Sequence, residues 1–318
     1  MKTRLSKTRL SVRLWLLAAA AWAVGSGAGC VTVGRSWSKT NACPTRRVAA
    51  SEAPTAEVWL SLLLEGYDAR TRRATTPAVD CTGGQVVWSA PAHACTDGDV
   101  AGKPPVAGPI AREDVIQAEV GPGLWLVWIV TGRYASGDAM GPVALVESHR
   151  LEDFAKRLVV RGLGVLRAYP GKARLHLEQM GAEEVLVAEG ESCPGGGGAC
   201  TKAARLMPLR GGRFEAEVVH GVKGECLEAG LVYLKQQETV RAGESTRRVE
   251  GEARLAYEPA GIRVEETVLV QELGAKADAP PRLLHRAQDT RVITVREGRL
   301  TATVPSLWTR MMTVARAP

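Results

Sequence analysis

Seven cysteines, at positions 30, 43, 81, 95, 193, 200 and 226, are the residues whose chemistry is most constrained by spacing. No two form a Cys-x-x-Cys pair and no histidine lies at ligand spacing from them, so thiolate metal chemistry is not expected. The five histidines, His93, His149, His176, His220 and His285, are each more than four residues from the next, and no local ligand or general-base motif forms among them. The chain has no Gly-x-Ser-x-Gly elbow, His-Glu-x-x-His helix, phosphate loop or dinucleotide fingerprint. The adjacent acids Glu183-Glu184 and Glu265-Glu266 suggest glycoside chemistry only superficially. Neighbours on a strand point to opposite faces and cannot share one cleft. Of the tryptophans, Trp59, Trp88, Trp125 and Trp128 stand inside apolar runs and read as core, whereas Trp308 has few apolar neighbours before Met311 and Met312. No catalytic residue, metal ligand or cofactor is therefore assigned.

The N-terminus carries chemistry of another kind. Residues 1 to 13 hold five cations and no acid, and Leu14 to Val24 form an unbroken apolar run. That order is the charged region and hydrophobic region of an export signal, too short to cross a bilayer. The following Gly27-Ala28-Gly29-Cys30 resembles the lipobox of bacterial lipoproteins, in which small residues admit the signal peptidase and the thiol is acylated. Gly27 stands where that family has an aliphatic residue, and ordinary secretory cleavage near Ala28 or Gly29 is the alternative. The resemblance implies that residues 1–29 are removed, that Cys30 anchors the protein to the membrane, and that Val31 in place of Asp directs it to the bacterial outer membrane. Secreted and periplasmic locations are the alternatives. Removing the signal lowers the formal charge from +7 to about +2, which excludes the concentrated basic face of a nucleic-acid partner. The clusters Arg70 to Arg73 and Arg247-Arg248 read as solvated turns or strand edges.

With Cys30 acylated, six cysteines remain, an even number in an oxidising compartment. Proximity pairs Cys193 with Cys200 across a glycine-rich loop, and Cys81 with Cys95, leaving Cys43 with Cys226.

The elements that must carry these residues are mostly strands. Residues 30–54 have the composition of a tether, followed by a β-rich domain over 55–318 that divides near 190–200 if it has two subdomains. Val58 to Leu64 reads as a strand buried on both faces or a short core helix, its length and the following Gly66 favouring the strand, and Leu124 to Val130 repeats that character; both are taken as central strands. Hairpins are expected around Pro170-Gly171, Gly211-Gly212 and, most clearly, Glu297-Gly298. Further strands fall at Val86–Ser89, Val143–Glu147, Leu231–Leu234, Arg254–Tyr257 and Val264–Glu272. The single helix candidate is Glu147 to Val159, where Leu151, Phe154, Ala155 and Leu158 recur at spacings of three and four. A faint repeat relates 173–187 to 253–270. Gly274 to Pro281 reads as an exposed loop.

The expected fold is all-β, an antiparallel sandwich or curved sheet built from hairpins with one short helix. The expected function is non-enzymatic: an anchored envelope protein that binds a protein or glycan partner. The rival is an envelope hydrolase acting on peptidoglycan or polysaccharide with acids assembled from loops. A small-molecule or lipid carrier would require a closed apolar cavity.

Overall fold

The computed structural model describes residues 45–49, 53–64, 66–74, 78–79, 84–87, 106–152, 155–193, 198–274 and 280–317. The signal and lipobox, with Cys30, Cys43, Cys81, Cys95, Trp88, His93 and Phe154, lie outside them. Among the described residues no helix is long and apolar enough to cross a membrane.

The chain is all-β, as its alternating segments predict. The first half contributes β1 (Thr45–Ala49), β2 (Tyr67–Asp68), β3 (Arg73–Ala74), β4 (Val106–Ala107), β5 (Val115–Gly121), β6 (Leu124–Ile129), β7 (Gly132–Arg133), β8 (Ala139–Arg150), β9 (Ala155–Ala168), β10 (Gly171–Met180) and β11 (Glu183–Ser192). The second half adds β12 (Thr201–Arg210), β13 (Arg213–Phe214), β14 (Val218–His220), β15 (Cys226–Ala229), β16 (Leu231–Ala242), β17 (Ser245–Glu258), β18 (Gly261–Leu273), β19 (Arg282–Arg296) and β20 (Arg299–Thr301). β2 and β3 make a separate two-stranded sheet; the others join in one curved network that closes on itself. Pairing is antiparallel except at β9–β13 and β14–β20.

β16 to β19 pair in sequence, β19 turns into β20, β20 meets β14, and β14 pairs with β15, which runs on through Gly230 into β16. This ring encloses one core, which includes Val232, Ile262, Val264, Ile293 and Leu300. A second core, with Leu126, Trp128, Val143, Leu145 and Leu166, fills the space bounded by the earlier strands. β11 and β12 are the wall between them. Leu186, Ala188, Met207 and Leu209 face the second core, whereas Val185, Val187, Ala204 and Leu206 face the ring. Burial on both faces explains why these strands are continuously apolar rather than alternating.

β6 is the central strand its composition predicts. Leu126 and Trp128 point into the second core, while Val127 and Ile129 point the other way, into a layer covered by the helix α1 (Ala56–Leu63). That helix corrects the strand expected over Val58 to Leu64. Glu57 lies in its first turn, and Trp59, Leu60, Leu62 and Leu63 are buried, a wide apolar stripe that a short helix can seat on a sheet.

The helix expected over Glu147 to Val159 is also corrected, because its described residues include the end of β8 to Arg150 and the start of β9 from Ala155. Leu151 N–H donates to Ala155 O at 2.8 Å, and the helical spacing of Leu151, Ala155 and Leu158 is an accident of a turn joining two strands. β9 and β10 meet at Tyr169-Pro170 but do not pair with each other, so this is a corner rather than a hairpin. The hairpin at Gly211-Gly212 pairs only Leu209 with Phe214 and Arg210 with Arg213. The one at Glu297-Gly298 forms as expected, with φ of 52° and 73° at its two central residues and Arg296 opposite Arg299.

Two boundary expectations change as well. Thr45–Ala49, inside the expected tether, is a strand paired with β9. The expected division near 190–200 falls inside the shared wall, where β11 and β12 pair from Val185 and Pro208 to Ser192 and Thr201. The repeat gains no support from register, since Val185 lies opposite Glu178 but Val268 opposite Gly251. A second helix, α2 (Leu307–Arg316), follows the last hairpin and packs on β16 to β19.

Candidate binding groove

The inward row of β18 begins with Ile262 and Val264 in the ring core, continues with Glu266, and ends with Val268 and Val270 under α2. Its neighbour on β19 places Arg291 in the same layer as Glu266, between the same two apolar patches. Arg291 is 1% exposed at its side chain. Its Nη1 lies 2.5 Å from Glu228 Oε1, and its Nε lies 3.2 Å from Glu266 Oε2. These are ion pairs by distance, with N–H directions not aligned for hydrogen bonds. One buried guanidinium is thus set against two carboxylates. Burial pushes the Glu266 carboxyl upward, opposed first by Arg291, and the neighbouring Glu228 pushes it the same way as burial.

Both carboxylates also hold the start of α2. Ser306 N–H donates to Glu228 Oε2 at 3.2 Å and Leu307 N–H to Glu266 Oε2 at 3.0 Å. Ser306 caps the helix, its Oγ accepting from Thr309 N–H at 3.2 Å. At the other end Arg247 donates to Ala315 O and Ala317 O, at 3.1 and 2.8 Å. Acids at the N-terminus and a cation at the C-terminus both match the helix dipole. Arg310 pairs with Asp289, and Arg316 with Glu238 at 3.3 Å. Leu307, Met312 and Ala315 bury the apolar side of the helix against Val249, Val268 and Val270.

Between α2 and the sheet runs a groove of about 930 Å³. Its walls include Val232, Ala253, Val268, Met312 and Trp308, with Gln236, Thr309 and the buried charges between them. Trp308 reaches this wall because residue 251 is glycine: a β-carbon there would stand 2.7 Å from the indole Cε3. A smaller polar groove lies on the other face of the same strands, lined by Arg254, Glu265, Thr267, Gln288 and Thr290.

Cys193 and Cys200 are disulfide-bonded as spacing predicts. Cys226 is also disulfide-bonded, to a cysteine outside the described residues. The expected Cys81–Cys95 pair lies wholly outside them. The histidines are scattered: His149 is exposed beside Glu147, His176 stacks on Tyr257 at 6.1 Å between ring centres, His220 is buried with Nδ1 3.3 Å from Gly224 O, and His285 is exposed. Among the described residues no three His, Cys, Asp or Glu side chains converge to hold a metal. Trp59 and Trp128 are fully buried, and Trp125 packs against Trp59 at 6.0 Å, as their apolar runs predict.

The acid pair at 265–266 splits as strand geometry requires. Glu265 is exposed and paired with Arg263, while Glu266 is buried. Arg70 to Arg73 form an exposed turn, as expected. Arg247 corrects the solvated reading of its cluster by capping α2, and Arg248 pairs with Glu250 at 3.0 Å. Sequence reasoning missed Arg291 and Glu228. Arg291 has the same strand parity as Ile293, and that alternation is the signal that places it indoors.

Comparison with protein-family models, curated proteins and solved structures gives no match for this chain.

Proposed function

We propose that this chain is an exported, lipid-anchored envelope protein that binds a protein or glycan partner in the groove beneath α2 without chemically converting it. The observation that carries this reading is the engagement of Glu228 and Glu266. A hydrolytic pair needs one carboxylic acid and one carboxylate free to face a scissile bond. Here both face the same guanidinium, and both accept backbone N–H groups from α2. They hold a helix against the sheet and leave the groove beside them open. Its size falls in the range of about 300 to 1,000 Å³ typical of ligand sites.

The anchor and outer-membrane location rest on the N-terminal residues through Cys30. The test uses the protein extracted from its own envelope in mild detergent, with free thiols alkylated. Intact mass should begin at Cys30 with added acyl chains and no alkylated thiol. Incubated with isolated envelope fragments, the protein should sediment with them and release no soluble sugar or peptide. An unlipidated chain would overturn the anchor, and released products would overturn the non-enzymatic reading.

A further inference from the structure

The groove beneath α2 has three properties that together narrow its ligand. First, its charges are already matched. Arg291 is held by Glu228 and Glu266, Arg316 lies against Glu238, and the start of α2 faces the remaining negative charge. Glu252, also on the groove wall, has an exposed carboxylate 4.0 Å from Lys235. A charged ligand would meet groups that already have partners of opposite sign. Second, Trp308 gives the wall a large ring that is only partly buried, seated beside the nearly buried side chains of Val268 and Met312. Third, the Trp308 indole N–H and the Gln236 amide make no hydrogen bond within the protein among the described residues, although both line the groove. An aromatic ring and an amide that line one groove and have no hydrogen-bond partner among the described residues suit a ligand with apolar C–H faces and hydroxyl edges.

We propose that the groove binds an uncharged saccharide, its ring stacked on Trp308 and its hydroxyls bonded to Gln236. This rests on the binding reading above and selects glycan over protein as the occupant. No metal is invoked, since no three ligating side chains converge among the described residues.

The full mature chain is titrated calorimetrically with the neutral hexasaccharides chitohexaose, cellohexaose and maltohexaose, and with hexagalacturonate and the glucosamine hexamer as anionic and cationic controls. At least one neutral hexamer should bind saturably, and both charged hexamers at least ten-fold more weakly. Trp308→Ala should weaken binding at least ten-fold and Gln236→Leu several-fold. Gln236 is half-buried and structurally unengaged, so its substitution tests the site even where Trp308→Ala perturbs the helix; thermal melts of each variant confirm that the fold is retained. Binding of a neutral hexamer that both substitutions leave unchanged overturns the groove and leaves the broader binding reading standing. Equal binding of charged and neutral hexamers overturns the ligand class. Binding of no hexamer, with envelope sedimentation intact, overturns the saccharide and returns a protein partner.

Discussion

Replacing Arg291 with methionine removes a cation whose side chain is 1% exposed and leaves Glu228 and Glu266, 12% and 8% exposed, facing each other without it. Removing one partner of a buried ion pair costs about 3–5 kcal/mol, because the remaining charge keeps its desolvation penalty. At roughly 2–4 °C per kcal/mol for a domain of this size, the melting midpoint should fall by about 10 °C at neutral pH. The pH dependence separates this cause from a packing defect. With the guanidinium gone, the two carboxylates repel, one of them takes up a proton more readily, and the loss shrinks on acidification. The triple substitution Arg291→Met, Glu228→Gln, Glu266→Gln keeps two acceptors for the Ser306 and Leu307 N–H groups and should recover most of the loss. Urea denaturation of the three proteins at pH 5 and pH 8, by circular dichroism, makes the comparison. A single-variant loss below about 1 kcal/mol, or one equal at both pH values and unrescued by the amides, would refute the argument that Arg291 is held by charge.

Three further outcomes follow from the same region and from the loop stapled at 193–200. The Glu266 carboxyl is raised in the folded state, so the folded protein binds that proton more tightly than the unfolded chain. Stability should fall as pH rises from the ordinary carboxylate range through the raised value, and Glu266→Gln should lose that slope in denaturation curves collected across the window. Ser306→Ala deletes the acceptor for Thr309 N–H and should cost about 1 kcal/mol in urea, with α2 amides exchanging faster than those of β18. Cys193→Ser opens a loop whose ends are seven residues apart and should cost about 2 kcal/mol, while leaving Cys200 as an alkylatable thiol seen by mass spectrometry.

The strands were legible where alternation or turn chemistry was strong. The Glu297-Gly298 turn announces its hairpin because the tight turn needs two positive φ values, and glycine supplies one without strain. The run from Leu124 to Ile129 announces a doubly buried strand. The same kind of run at Val58 to Leu64 misled, since an apolar stretch of seven residues suits a short helix as well as a strand and only its partner decides. At 147–159 the three-and-four spacing was matched by chance across a turn, where cross-strand hydrogen bonds outweighed local periodicity. Trp308 stood out in the sequence, but its setting did not. The cap at Ser306 and the following Leu307, Met311 and Met312 are a helix signal that the nearby clear hairpin masked. The buried charge layer was half visible: strand parity already separated Glu265 from Glu266. Pairing Glu266 with Arg291 and Glu228 needed the register of three strands, which no local pattern encodes.

The wall formed by β11 and β12 is buried by both cores, which should couple their unfolding. Melting either core strips apolar surface from the back of the strands that seal the other, so partial unfolding leaves one face of β11 and β12 uncovered. The protein should therefore lose structure in one sharp transition, with exchange of the β11 and β12 amides requiring global opening. A cut between Cys193 and Cys200 would leave the halves joined by their disulfide as well as by the hydrogen bonds between β11 and β12. Two fragments made separately there would each present an unpaired, apolar edge and would be soluble chiefly as a reassembled pair.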